Sequence, residues 1–202
     1  MSAWTLLEAM LPQLTADERD MLQQRFAHLT RHTWEKGSYL CHERQPFAQM
    51  VLIERGLIRS FYIDDDVEVN LRFLCDGSLA VPFAALAQAW ITPQSRLLAT
   101  ESLQCVTRVT GYVLPVHSLL DQAAFPEFER LRTEMAARHY VSMEQRLRMI
   151  QHQRAIERYR KFLAWMPAPI VQDMPNFHIA SYLGITPEVL SRVKQQLKTE
   201  GH

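Results

Sequence analysis

Glycine is scarce in this chain, with six in 202 residues. That excludes a glycine-repeat architecture, and no Gly-rich loop of the kind that cradles a nucleotide phosphate is present. Three cysteines, Cys41, Cys75 and Cys105, are odd in number and widely spaced. They fit reduced, cytoplasmic thiols better than a disulfide framework. No run of about 18 apolar residues occurs, so no transmembrane helix and no membrane partner are expected. The opening MSAWTLLEAM lacks the basic stretch and long apolar core of a signal peptide. Net charge is absent as well, 22 Lys and Arg standing against 22 Asp and Glu. Catalytic signatures are missing: there is no Gly-x-Ser-x-Gly elbow, and the strand region offers only His42 and His117 where a metal-dependent barrel enzyme needs a paired His-x-His. His28, His32, Cys41 and His42 lack a spacing that puts two ligands on one element. Neither a metal cofactor nor an enzyme is therefore expected.

What is present is a globular composition, 48% hydrophobic and 22% charged, long enough for one large or two small domains. The charge is unevenly spread. Residues 1–126 hold 10 basic and 14 acidic side chains, residues 127–162 hold 9 and 5, and residues 163–202 hold 3 and 3. Positive charge thus gathers just before the C-terminal segment, and a nucleic-acid binder needs a basic face and not a basic whole.

Two short helices open the chain. One lies over 4–14 and is open to interruption at Pro12; the other follows Thr15, whose Glu18 three residues on completes a capping box. From Thr33 to Val116 the apolar period shifts towards two. Short runs at 38–41, 50–54, 57–63, 67–74 and 104–110 alternate with turns at Lys36-Gly37, Arg55-Gly56, Asp64-Asp65-Asp66 and Asp76-Gly77, which predicts an antiparallel barrel or roll. Residues 127–151 predict one long helix. Ala136, Tyr140, Met143, Leu147 and Ile150 step by four and three, a coiled-coil seam, and Leu131 and Met135 lie on an adjacent stripe. A further helix begins at Arg154 and is expected to stop at Pro167 and Pro169.

The segment HIASYLGITPEVLSRVKQQLK, residues 178–198, predicts two helices about a tight turn. Ile179, Ala180 and Leu183 give the first an apolar face, and Ala180 allows close crossing. Gly184 permits a left-handed turn residue, Thr186 is a strong N-cap, and Pro187 suits the first helical position. Val189, Leu190, Val193 and Leu197 form the inner side of the second helix. Glu188, Ser191, Arg192 and Lys194 then face outward near its N-terminus, as a helix-turn-helix requires. An ordinary αα-hairpin shares part of this pattern.

On these residues the chain resembles the cyclic-AMP receptor / fumarate-nitrate regulator (Crp/Fnr) superfamily of transcription regulators. WEKGSYLCHE, IERGLIRSFYIDDDVEV and RFLCDGSLA are similar to successive strands of its effector domain. The resemblance implies an α+β fold: a β-roll effector domain with N-terminal helices over 1–126, a dimerisation helix over 127–152, and a DNA-binding helix-turn-helix over 153–202. It implies a homodimer on double-stranded DNA, a dimer interface of Leu131, Met135, Ala136, Tyr140, Met143, Leu147 and Ile150, RNA polymerase as a candidate partner and a small molecule as a candidate effector. Glu188 and Arg192 fall in the family columns that face base edges. Pro187 replaces a base-contacting arginine of the cyclic-AMP binders, and Thr186, Ser191, Lys194 and His178 become candidate phosphate contacts.

The chain departs from the family in its phosphate cassette. Cyclic-nucleotide binders carry Gly-Glu at the mouth of a short helix and Arg-Ser or Arg-Thr about ten residues later; here Val81-Pro82 takes the first place, and Arg96 follows Ser95. Control by cyclic AMP is therefore not expected. A different effector would meet Arg96, Ser95, Phe83 and Trp90, although core packing also accounts for the apolar pair. The hairpin wing that usually follows the reading helix is expected to be short or missing. A second class of function stays open: a roll that binds a protein partner, with a vestigial helix-turn-helix.

Overall fold

The computed structural model describes residues 2–11, 14–92, 96–120 and 128–200. Two helices come first, α1 (Ala3–Met10) and α2 (Ala16–Phe26). The Thr15 hydroxyl accepts from the Glu18 N–H, and the Glu18 carboxylate accepts from the Thr15 N–H at 2.8 Å, so the capping box forms as read. Pro12 lies outside the described residues.

The strands follow: β1 (Arg31–Trp34), β2 (Tyr39–Cys41), β3 (Gln49–Arg55), β4 (Ile58–Asp64), β5 (Val67–Leu74), β6 (Leu79–Ala80), β7 (Ser102–Cys105) and β8 (Val109–Pro115). They form two antiparallel four-stranded sheets, ordered β1-β8-β3-β6 and β2-β7-β4-β5. Met50 to Ile53 are all buried because β3 sits inside its sheet with α1 against its outer face. The expected single strand over 104–110 is two strands. Val106-Thr107-Arg108 turn between them, and the Thr107 hydroxyl takes the Leu57 N–H at 2.9 Å, which no glycine or proline announces. At Gly56, φ is +119° and an added Cβ would lie 2.6 Å from the Arg108 carbonyl oxygen.

Helix α3 (Phe83–Ile91) crosses between β6 and β7, and α4 (His117–Leu120) follows β8. The long helix α5 runs from Glu129 to Ile150. Beyond it come α6 (Ala155–Trp165), α7 (Ala168–Asp173), α8 (Asn176–Leu183) and α9 (Pro187–Glu200). The prolines after α6 do more than stop it: Pro167 is the N-cap of α7 and Pro169 lies in its first turn.

Two apolar cores result. One fills the roll and takes in α1, α2 and, from α5, Leu131 and Met135. The other lies among α6, α7, α8 and α9, and extends into the roll through Leu57, Phe73, Cys75 and Val106.

Candidate nucleic-acid interface

The C-terminal turn is built by local rules. Gly184 ends α8 in the left-handed conformation, φ 63° and ψ 41°. The Ile185 N–H donates to the Ala180 carbonyl at 3.0 Å and the Gly184 N–H to that of Ser181 at 3.1 Å, the paired bonds of a Schellman motif. Thr186 then caps α9, its hydroxyl oxygen accepting the Val189 N–H at 3.3 Å. The Arg158 guanidinium donates to the Leu183 and Gly184 carbonyls at 3.0 and 3.1 Å, tying α6 to the turn. Ala180 and Leu190 are fully enclosed where the two helices cross.

Thr186, Pro187, Glu188, Ser191 and Arg192 all lie on the exposed side of α9. A hydrogen bond from the Thr186 hydroxyl, then one from the backbone, hold the Glu188 carboxyl below the usual range, so it stays an acceptor. Lys194 is half-buried. It donates to the Asn176 side chain and lies 5.5 Å from the centre of the Tyr159 ring, and burial lowers its pKa. It braces the start of α8, which differs from the outward phosphate contact expected of it.

His178 corrects the sequence reading. It is 7% exposed, and Nδ1 faces Arg59 Nη1 at 3.2 Å on the roll. Burial first, and the Arg59 charge second, lower its pKa to about 4. A neutral, enclosed imidazole cannot grip a phosphate. The basic surplus over 127–162 is likewise largely spent inside the chain. Arg130 pairs with Glu18, Arg148 with Glu144, and Arg160 with Glu157 and Glu200; Arg138, Arg146 and Arg158 donate to backbone carbonyls.

Among solved structures, the chain is similar to FixK2 from Bradyrhizobium japonicum, at 21% identity and a TM-score of 0.68, covering 86% of each chain. It is similar to the c-di-GMP-responsive global regulator CLP of Xanthomonas campestris, at 15% identity and 0.65, covering 90% of this chain and 92% of that one. A transcriptional regulator ascribed to the Crp/Fnr family, from Eubacterium rectale, matches at 16% and 0.65 over 96% and 89%. The fold is that of the Crp/Fnr regulators. No family model matches the chain, and no curated protein matches it.

Within this Crp/Fnr fold, α5 divides its faces differently from the sequence reading. Leu131 and Met135 are buried in the roll's own core, so they are unavailable to a second copy. Ala136, Tyr140 and Leu147 are exposed, Tyr140 by 69% and Leu147 by 53%, with Met143 and Ile150 half-buried beside them. Tyr140, Met143, Leu147 and Ile150 line a shallow groove of about 350 Å³.

The effector residues are also rearranged. Phe83 is core, stacked on His139 at 4.1 Å and meeting Trp90 edge-on at 5.6 Å, while Trp90 Nε1 donates to the Leu119 carbonyl at 3.1 Å. Both are packing elements. Arg96 is exposed, and Ser95 lies outside the described residues. The polar centre that sequence reading missed is Glu101 with Arg72. The two form a buried ion pair, and Glu101 also accepts the Ser60 hydroxyl at 2.6 Å and the Phe83 N–H at 3.2 Å. A signal existed: Asn70 and Arg72 take the inward phase of β5, where alternation calls for apolar residues. Beside this pair a cavity of about 250 Å³ lies against α5, lined by Phe83, Met135, Arg138 and His139 among others. His139 has its pKa lowered to about 4, by burial and then by Arg72. Among the described residues no group of three His, Cys, Asp or Glu side chains is placed to hold a metal ion.

Proposed function

We propose that this chain is a sequence-specific DNA-binding transcription regulator that acts as a homodimer and is not controlled by cyclic AMP. The observation that carries the reading is the exposed row Thr186, Glu188, Ser191 and Arg192 at the capped N-terminus of α9. That is the part of a recognition helix that enters the major groove. Arg192 can donate a bidentate fork to guanine, Glu188 can accept from cytosine N4, and Thr186 and Ser191 can hold phosphates. Pro187 offers no donor, so the half-site differs from that of a relative with arginine there.

The exposed stripe on α5 supports pairing of two copies, since an apolar helix face of this length is costly to leave in water. Its members are Ala136, Tyr140, Met143, Leu147 and Ile150. The pairing of Arg72 with Glu101 supports independence from cyclic AMP, because the buried cation beside the cavity already has its anion. The cavity beside it sits just below the ~300 Å³ at which typical ligand pockets begin, so a small effector fits better than a nucleotide. In this reading the boundaries fall near residues 126 and 152, the protein works in the cytoplasm, and RNA polymerase is the partner of the bound dimer. No helix among the described residues is long and apolar enough to cross a membrane.

Selection from a random duplex library tests the reading. An enriched two-fold symmetric site is expected, with a log–log salt slope of several, since each neutralised phosphate contributes about 0.9. Failure to retain any duplex at ~50 mM salt refutes it. Calorimetry with cyclic AMP and cyclic GMP should give no heat of binding.

A further inference from the structure

The reading head does more than hang from its linker. It is seated on the β2-β7-β4-β5 sheet, against the edge strand β5. Phe73 of β5 meets Tyr182 of α8 at a ring separation of 4.9 Å and Phe162 of α6 at 6.5 Å. A polar row lies along the strand's outer edge. The Asn70 N–H donates to the Ser181 hydroxyl oxygen at 3.0 Å, and that hydroxyl donates to the Glu68 carbonyl at 3.0 Å. The Asn70 carbonyl accepts from Arg146 at 3.1 Å. Two side chains thus do for this edge what a neighbouring strand would do. A bulge shapes it: Arg72 pairs with Ser60 and Asn70 with Phe61, leaving Leu71 as the extra residue.

His178 adds a second anchor one helical turn before Ser181. Its ring nitrogen faces Arg59, which Glu68 holds at 2.5 Å and Gln104 at 2.8 Å. Sliding α8 along β5 by one residue would leave an edge N–H or C=O unpaired and turn the acceptor nitrogen away from the guanidinium. Each such loss is unfavourable, so the seat has one favoured register.

We propose that His178 and Ser181 are positioning residues: by pinning α8 to the edge of β5 they set the distance between the two heads of a dimer, and so the spacing of half-sites the protein accepts. The proposal rests on the DNA-reading dimer above. One base pair moves a half-site by about 3.4 Å and turns it by roughly a tenth of a full rotation. A head held at one angle rejects that displacement, and a loosened head follows it.

The test uses the full chain with Ser181→Val, His178→Phe and the double variant, together with Ser181→Thr, which keeps the hydroxyl. Spin labels at Asp65 and Lys198 report the roll-to-head distance without DNA. A narrow distribution is expected for the starting protein and for Ser181→Thr, and a broad one for the double variant. Operators whose half-sites are kept while the spacer changes by one or two base pairs report the ruler. A preference of about tenfold for one spacing should fall to about threefold or less in the double variant, a loss of up to ~1.4 kcal/mol of discrimination, with base preference within each half-site unchanged. An equally narrow distance distribution in the folded double variant overturns the pin. A broad distribution with an intact spacing preference overturns the ruler. Should the starting protein retain no duplex, the DNA-reading assignment falls, and the distance measurement still judges the pin.

Discussion

Replacing Glu101 with alanine is the sharpest test of how the roll is held. Glu101 is 4% exposed and Arg72 is 9% exposed. Without the carboxylate, the guanidinium keeps the Val81 carbonyl at 2.9 Å and no counter-charge within this cluster, while the Ser60 hydroxyl and the Phe83 N–H lose their acceptor. Removing one partner of a buried ion pair costs about 3–5 kcal/mol. That is a large share of the ~5–15 kcal/mol by which a protein is typically stable. At about 2–4 °C per kcal/mol for a chain of this size, the midpoint of thermal unfolding should drop by roughly 6–20 °C. Glu101→Gln keeps one acceptor oxygen, enough for the Phe83 N–H, sets an amide donor against the Ser60 hydroxyl and loses the charge, so its midpoint should fall between those of the starting protein and Glu101→Ala. The double variant Arg72→Met/Glu101→Leu, which replaces the charges with apolar volume but leaves the Ser60 hydroxyl, the Phe83 N–H and the Val81 carbonyl without these partners, should recover part of the loss. Urea melts and differential scanning calorimetry read all four proteins. A Glu101→Ala midpoint within about 2 °C of the starting protein, or a double variant no better than the single, refutes the reasoning.

Arg192→Ala should weaken operator binding by about 1–3 kcal/mol and relax base preference at one position of each half-site, read by competition against single-base operator variants. Leu147→Glu on the exposed stripe of α5 should shift sedimentation from dimer to monomer without lowering the melting temperature of the monomer, because Leu147 is 53% exposed in the isolated chain. Stability should also decline in acid. His178 is held neutral with a pKa of about 4 against an ordinary 6.5, so the unfolded chain binds its proton first and stability falls as pH drops from about 6.5 to 4. The loss from this residue is about 3 kcal/mol, and His139 pushes in the same direction. His178→Phe should flatten that slope in urea melts run from pH 7 to pH 4; an unchanged slope counts against a neutral, buried imidazole.

The sequence by itself determined what short-range rules control. Gly184, Thr186 and Pro187 specify the turn and cap between α8 and α9 over four consecutive positions, and Thr15 with Glu18 specifies the start of α2. Alternation and turn residues marked most strands of the roll, and the four-three spacing marked α5. Those features follow from backbone sterics and nearest neighbours, so no distant residue needs to be known. Tertiary structure alone decided which partner each side chain meets. His178 looks like a phosphate contact on its helix and is a buried anchor, because Arg59, 119 residues away, stands opposite it. Leu131 and Met135 share helical spacing with the exposed seam yet face the roll, since the angle at which α5 lies on the strands picks the stripe that is covered. Arg72 and Glu101, 29 residues apart, neutralise one another only because β5 and β7 come together in one sheet around β4. Burial and charge pairing depend on contacts between segments far apart in the chain, and local periodicity carries no record of them.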